Sequence, residues 1–247
     1  MTLLAAAFIG VGIGFLGGMF GKGGSAIATP LLAAVGVPPI VAVASPLPAT
    51  IPSTLAASWA YWREDYADWR IVRWGVALGV PATIAGAATT NWVSGDTLIK
   101  ATDAILMGLG LRFALSPHKR PTRRGDAPRD NAALLAGIAV TVGFASGLLA
   151  NSGGFLLAPL CVAVLRRPIK VAFASSLMIA AVLAVPGTVV HAALGHIDWA
   201  LVAVFAATSV PLSFVGARVA LRTDPVRLER VYGVVLAALG AVFLITQ

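Results

Sequence analysis

Charged side chains are scarce in this sequence: 11% of its 247 residues are Asp, Glu, Lys or Arg, about half the share of an ordinary soluble domain. No such residue occurs from Ala132 to Leu165 or from Val171 to Gly195, and Lys22 is the one charged residue before Arg63. A soluble fold is excluded on that ground. The single cysteine, Cys161, excludes an intrachain disulfide. No HExxH motif, no paired mid-membrane carboxylates and no Ser/His/Asp constellation call for an enzyme, a metal or a cofactor. No GxxxxGK[ST] loop suggests ATP use, and no basic patch interleaved with aromatics suggests nucleic acid.

What is abundant is apolar: 58% of residues are hydrophobic and the mean hydropathy is +0.89. Uncharged runs near the roughly 20 residues that a spanning helix needs recur along the chain, which predicts an all-α polytopic membrane protein. The N-terminus has no basic segment before its first apolar run, so the first helix is expected to stay in the membrane. Apart from Lys22 and Lys100, every Lys and Arg falls at Arg63/Arg70/Arg73, Arg112 to Arg129, Arg166/Arg167/Lys170 or Arg218 to Arg230. The positive-inside rule puts these clusters in the cytoplasm and both termini outside. The connections Val35 to Pro39, Asn91 to Asp96 and Gly195 to Asp198 carry no Lys or Arg and belong outside.

The chain contains two copies of one unit. Gly14-Phe15 through Pro30-Leu31 matches Gly143-Phe144 through Pro159-Leu160 at an offset of 129, and Ala44-Ser45, Asp68-Trp69, Pro81 and Gly86 match Ala174-Ser175, Asp198-Trp199, Pro211 and Gly216 at 130. The first copy spans 1–115, a cytoplasmic linker 116–130, and the second copy 131–247. Each reads as a short or re-entrant helical hairpin plus three transmembrane helices. In the first copy these are Leu3–Phe20 and Ser25–Val37, then Ile40–Trp62, Trp69–Trp92 and Thr97–Leu115. In the second they are Asn131–Ala150 and Gly154–Leu165, then Val171–Leu194, Trp199–Ala217 and Arg227–Thr246. Three crossings per copy is an odd number, so the copies are expected to be inverted relative to each other.

Lys22 sits in a glycine turn, Gly21 to Ser25. A lysine at mid-bilayer costs roughly 2.5–3.5 kcal/mol on insertion scales, so a functional role is the first reading. The matching turn is Asn151-Ser152-Gly153-Gly154. Both turns are expected to meet near the midplane, each opening a short helix whose free N–H groups and positive dipole end suit an anion. Lys22, Gly23, Gly24, Ser25, Asn151, Ser152, Gly153 and Gly154 are the substrate candidates there. The helix with Pro46, Pro48 and Pro52 adds Ser45 and Thr50, with Ser53 beside them, and its counterpart adds Ser175 and Ser176. Bonding of these hydroxyls to their own helix backbones is the structural alternative. Asp103 and His191 are the candidates for proton coupling, and headgroup contact is the alternative for both. Gly14/Gly18, Gly75/Gly79 and Gly143/Gly147 are read as packing pairs.

Two glycine turns, each followed six residues on by a proline (Gly24 to Pro30, Gly153 to Pro159) within about 250 residues, make the chain resemble the TauE/SafE sulfite-exporter family. The resemblance covers essentially the whole sequence. It implies a transporter of sulfite, sulfoacetate or related organosulfonates across the bacterial inner membrane, often outward. The expected partners are a small anion and lipid, and a homo-oligomer is left open. An anion channel or an uptake permease for other small anions is the rival reading.

Overall fold

The computed structural model describes residues 2–21, 25–89, 107–108, 110–115, 131–148 and 154–246. Regular structure among them is entirely helical: α1 (Thr2–Phe20), α2 (Ser25–Ala34), α3 (Pro39–Ala44), α4 (Pro46–Trp62), α5 (Trp69–Thr89), α6 (Ala132–Leu148), α7 (Gly154–Ala163), α8 (Ile169–Ala193), α9 (Trp199–Arg222) and α10 (Pro225–Thr246). Residues 110–115 are also helical. Five segments are long and apolar enough to cross a bilayer: Leu3–Phe20, Ile40–Trp62, Trp69–Thr89, Ile169–Ala193 and Trp199–Arg222. Helices satisfy their own backbone polar groups, as lipid demands, and this is a multi-pass membrane protein.

Several boundaries differ from the sequence expectation. The segment Ile40–Trp62 is two helices joined at Ser45, because Pro46 and Pro48 offer no N–H to the preceding turn and so sit in the first turn of a new helix. Helix α9 runs on to Arg222, where Arg218 lays its guanidinium 4.6 Å from the Phe214 ring. Helix α10 starts at Pro225 rather than Arg227, with the Asp224 carboxylate accepting from the N–H groups of Val226 and Arg227. The short helices stop at Ala34 and Ala163.

The contacts come in pairs separated by the same offset that relates the two sequence copies. Left-handed backbone occurs at Gly36 and Arg166 and at Asp65 and Gly195, and each pair is 130 residues apart. Asp68 caps α5 by accepting from the N–H groups of Arg70 and Ile71, and Asp198 caps α9 by accepting from Ala200 and Leu201. The Asp68 N–H donates to Ser175 Oγ at 3.3 Å and the Asp198 N–H to Ser45 Oγ at 3.0 Å, so each copy supplies the serine that holds the other copy's cap.

Packing follows the same exchange. Helix α1 lies on α9, where Gly14 and Gly18 face the backbone of Ser209 and Ser213 and Gly216 faces Phe15. Helix α6 lies on α5, where Gly143 and Gly147 face the backbone of Gly79 and Thr83 and Gly86 faces Phe144. Close backbone approach through small residues replaces the hydrophobic driving force that lipid removes. The glycine pairs are therefore packing devices, as the sequence suggests.

The two ends of the bundle differ in charge. At one end Arg167 meets Asp68 at 3.0 Å, while the Lys170 ammonium donates to the Leu221 carbonyl at 2.7 Å and stands 5.8 Å from the Tyr66 ring centre. Three of the basic clusters thus gather there, with exposed Trp62 and Trp69 beside them. The opposite end holds Ser45, Asp198 and the connections Val35 to Pro39 and Gly195 to Asp198, together with exposed Trp199.

Candidate functional site

Near the middle of the crossing helices, a small cavity opens between α1, α4, α8 and α9. Ile13, Gly14, Gly17 and Gly18 line it from α1, Thr50, Ser53 and Thr54 from α4, Leu177 from α8, and Phe205, Ser209 and Ser213 from α9. Both copies contribute. The glycines leave the space, since a side chain at position 14 or 18 would strike the α9 backbone. Five of the lining residues carry hydroxyls, all buried, while most of the surface that faces the space is apolar.

Their hydrogen bonds fit the alternative offered by the sequence. Thr50 donates to the Pro46 carbonyl at 2.9 Å and Thr54 to the Thr50 carbonyl at 2.8 Å. The first of these bonds uses a carbonyl that the broken proline turn leaves without a helical partner, since Thr50 is its i+4 neighbour. Ser213 donates to the Ser53 carbonyl at 2.6 Å, and the Ser53 and Ser209 hydroxyls lie 2.9 Å apart. In that last pair one oxygen accepts, which leaves its own proton directed elsewhere. Four of the five hydroxyl protons are thus donated already, one O–H remains at the Ser53/Ser209 pair, and no acidic side chain lines the space among the described residues.

The other copy carries different residues at the corresponding places. At an offset of 130, Thr50, Ser53 and Thr54 correspond to Ala180, Leu183 and Ala184, while Ser209 and Ser213 correspond to Gly79 and Thr83. Leu183 packs against Gly79, so an apolar side chain fills the place that hydroxyls line on the other side.

Of the sequence candidates, Thr50 lines this cavity and Ser53 stands with it. Ser45 and Ser175 hold the Asp198 and Asp68 caps at opposite ends of the bundle. Ser176 donates to the Gly21 carbonyl at 2.8 Å and to the Phe173 carbonyl at 3.0 Å. Ser176 stands in α8 between Ser175, which holds the start of α5, and Leu177, which lines the cavity, so α1 ends against α8 at that level. The 19 residues of α1 reach about 28 Å at 1.5 Å per residue, close to the roughly 30 Å hydrocarbon core, so α1 is long enough to cross. An aromatic cluster fixes this end of α1, with Phe20 6.4 Å from Phe173 and 5.5 Å from Tyr232 between ring centres.

Ser25 and Gly154 open α2 and α7, so each turn does lead into a short helix. Lys22, Gly23, Gly24, Asn151, Ser152, Gly153 and Asp103 lie outside the described residues. His191 faces His196 where α8 ends, away from the cavity. The reading from sequence missed Thr54, Ser209 and Ser213. Their signal was present: Ser209 and Ser213 are four apart on an apolar helix, one turn in register with the Gly14/Gly18 spacing.

Comparison with known proteins agrees with this architecture. Residues 6–243 match the family model described as sulfite exporter TauE/SafE. A probable membrane transporter protein of Xylella fastidiosa (strain 9a5c) is 30% identical over 236 residues, covering 92% of this chain and 89% of that one. The probable membrane transporter protein YjnA of Bacillus subtilis (strain 168) is 23% identical over 243 residues, covering 94% and 96%. No solved structure gives a significant match. With a helical multi-pass bundle and a family match across nearly its whole length, the chain belongs to the TauE/SafE family of membrane transporters.

Proposed function

We propose that this transporter is a secondary exporter of small sulfur-containing oxyanions such as sulfite, sulfoacetate or other organosulfonates. The observation that carries the reading is the mid-helix cavity, where the Ser53 and Ser209 hydroxyls, one from each copy, lie 2.9 Å apart and between them leave one O–H to donate, with no carboxylate among the described lining residues. O–H donors in a low-dielectric site suit an anion, whereas a cation would call for carboxylates or carbonyls aimed inward. In this reading Lys22 and the glycine turns Gly23 to Ser25 and Asn151 to Gly154 draw the anion toward the bundle, and the mid-helix hydroxyls receive it. Ser53 and Ser209 exchange their mutual bond for bonds to the oxyanion.

The cavity in this conformation has room for about one water molecule, less than a sulfite requires, so α1, α4 and α9 must part to load it. The glycine contacts between α1 and α9 suit such a movement, because flat backbone surfaces slide where interlocked side chains would not. Alternating exposure of the cavity to the two ends, with the copies inverted about it, is the mechanism this favours.

Ser53→Leu tests the site. It copies the residue that the second copy already carries at position 183, so it fills the cavity with a side chain this fold accommodates elsewhere. Sulfite or sulfoacetate uptake into proteoliposomes should fall at least tenfold in a variant that remains monodisperse in detergent, and Lys22→Gln should also weaken it. Undiminished uptake in Ser53→Leu would reject the cavity as the binding site. Counterflow of labelled anion is expected of a transporter, and single-channel currents would show a channel instead.

A further inference from the structure

At the end of the bundle opposite the basic clusters, α8 carries His191 in its last turn and the chain turns back through Gly195, whose φ of +70° is easy for glycine and strained for other residues. The turn is closed by the backbone: the His196 N–H donates to the His191 carbonyl at 3.0 Å and the Gly195 N–H to the Ala192 carbonyl at 3.2 Å. Two imidazoles are thereby brought face to face by main-chain geometry. Their Nδ1 atoms lie 3.2 Å apart, with ring centres 5.4 Å apart and planes inclined at 51°. Both residues are half-exposed, so the pair is open to solutes at the bundle end.

That separation is informative. Two nitrogens bound to one ion at about 2.0–2.1 Å stand about 2.9 Å apart at a right angle and about 3.4 Å apart at a tetrahedral angle. The observed spacing lies between those limits, so both Nδ1 atoms reach a single ion with little movement. Both Nε2 positions then carry the ring protons, the tautomer that neutral imidazole adopts as a metal ligand. Without an ion, the same spacing requires one ring to hold its proton on Nδ1 and donate it to the other.

We propose that His191 and His196 form a two-histidine site for a divalent transition metal ion of the kind imidazole prefers, Zn²⁺, Ni²⁺ or Cu²⁺. No group of three or more His, Cys, Asp or Glu side chains able to hold a metal gathers among the described residues. The pair therefore supplies two ligands, and water or a solute anion completes the coordination. The site is separate from the mid-helix cavity and stands whether or not sulfur oxyanions are the cargo.

The composition makes the test clean, because the chain has three histidines and one cysteine, and that cysteine is fully buried. Purified full-length protein is titrated with Zn²⁺ against a chromogenic chelator, alongside His191→Gln, His196→Gln and, as control, His118→Gln. One zinc per chain is expected, with affinity falling at least tenfold in either of the first two variants and unchanged in the third. Equal affinity in a His191→Gln/His196→Gln double variant, or equal loss in His118→Gln, would overturn the proposal. Should those variants not fold, electron paramagnetic resonance of Cu²⁺ bound to the unaltered protein decides. Superhyperfine splitting from two nitrogens supports the pair, and splitting from one or none rejects it.

Discussion

Glycine does different work at different points of this chain, and the contacts around each position say which. A methyl group at Gly18 would overlap the backbone of Ser213, and neither partner is a flexible side chain that can swing away. Gly12, on the same helix, meets nothing within 4 Å. Gly18→Ala is therefore expected to lower stability by about 1–3 kcal/mol through overpacking, while Gly12→Ala leaves it unchanged or slightly higher, since alanine is the better helix former. Thermal unfolding in detergent separates the two. The hydroxyls show a similar division: Ser45 and Ser175 are committed to helix caps, whereas Thr50, Ser53 and Thr54 face the cavity. In the sequence they look alike, because a serine in an apolar helix carries no mark of which neighbour it will meet.

The capped helix starts of α5 and α9 are the same device built twice, with one difference. Asp68 uses one carboxylate oxygen for the cap and turns the other to Arg167, with both side chains about 15% exposed (16% and 14%). The residue that corresponds to Arg167 in the first copy is Val37, so Asp198 has no cation at that place. Asp68→Ala should thus lose both a cap of about 1 kcal/mol and an ion pair of about 0.5–1 kcal/mol. Asp198→Ala should lose the cap alone. Melting curves of the two variants should differ by that margin at low salt, and the gap should narrow as salt screens the ion pair. Equal effects would show that Arg167 adds nothing at this joint.

For the bundle as a unit, the gathering of basic clusters at one end makes its orientation testable. With the basic end cytoplasmic, a cysteine at Val35 or Leu194 should react with an impermeant maleimide added to intact cells, and one at Glu64 only after permeabilisation. All three side chains are exposed, and the native Cys161 is buried and should stay silent. Labelling of Glu64→Cys in intact cells would reverse the orientation.

The all-helical character and the positions of most helices were legible in the chain, because apolar runs are local signals that lipid makes stringent; the first helix, read as an arm of a short or re-entrant hairpin, is one of five segments long enough to cross. The caps at Asp68 and Asp198 and the break at Ser45 were not read there, although an Asp before an apolar run and a Pro beside Ser45 are local signals of the same class. What receives the end of α1 was not legible, since Ser176, Phe173 and Tyr232 come from distant helices. Nor was the cavity. Its walls come from residues as far apart as Ile13 and Ser213, and Leu183 stands in the second copy where the first has Ser53. Hydrophobic patterning decides which segments leave water, one segment at a time. Which polar groups end up sharing a space is decided when helices from both copies close on each other, and that depends on side-chain volumes no single segment contains.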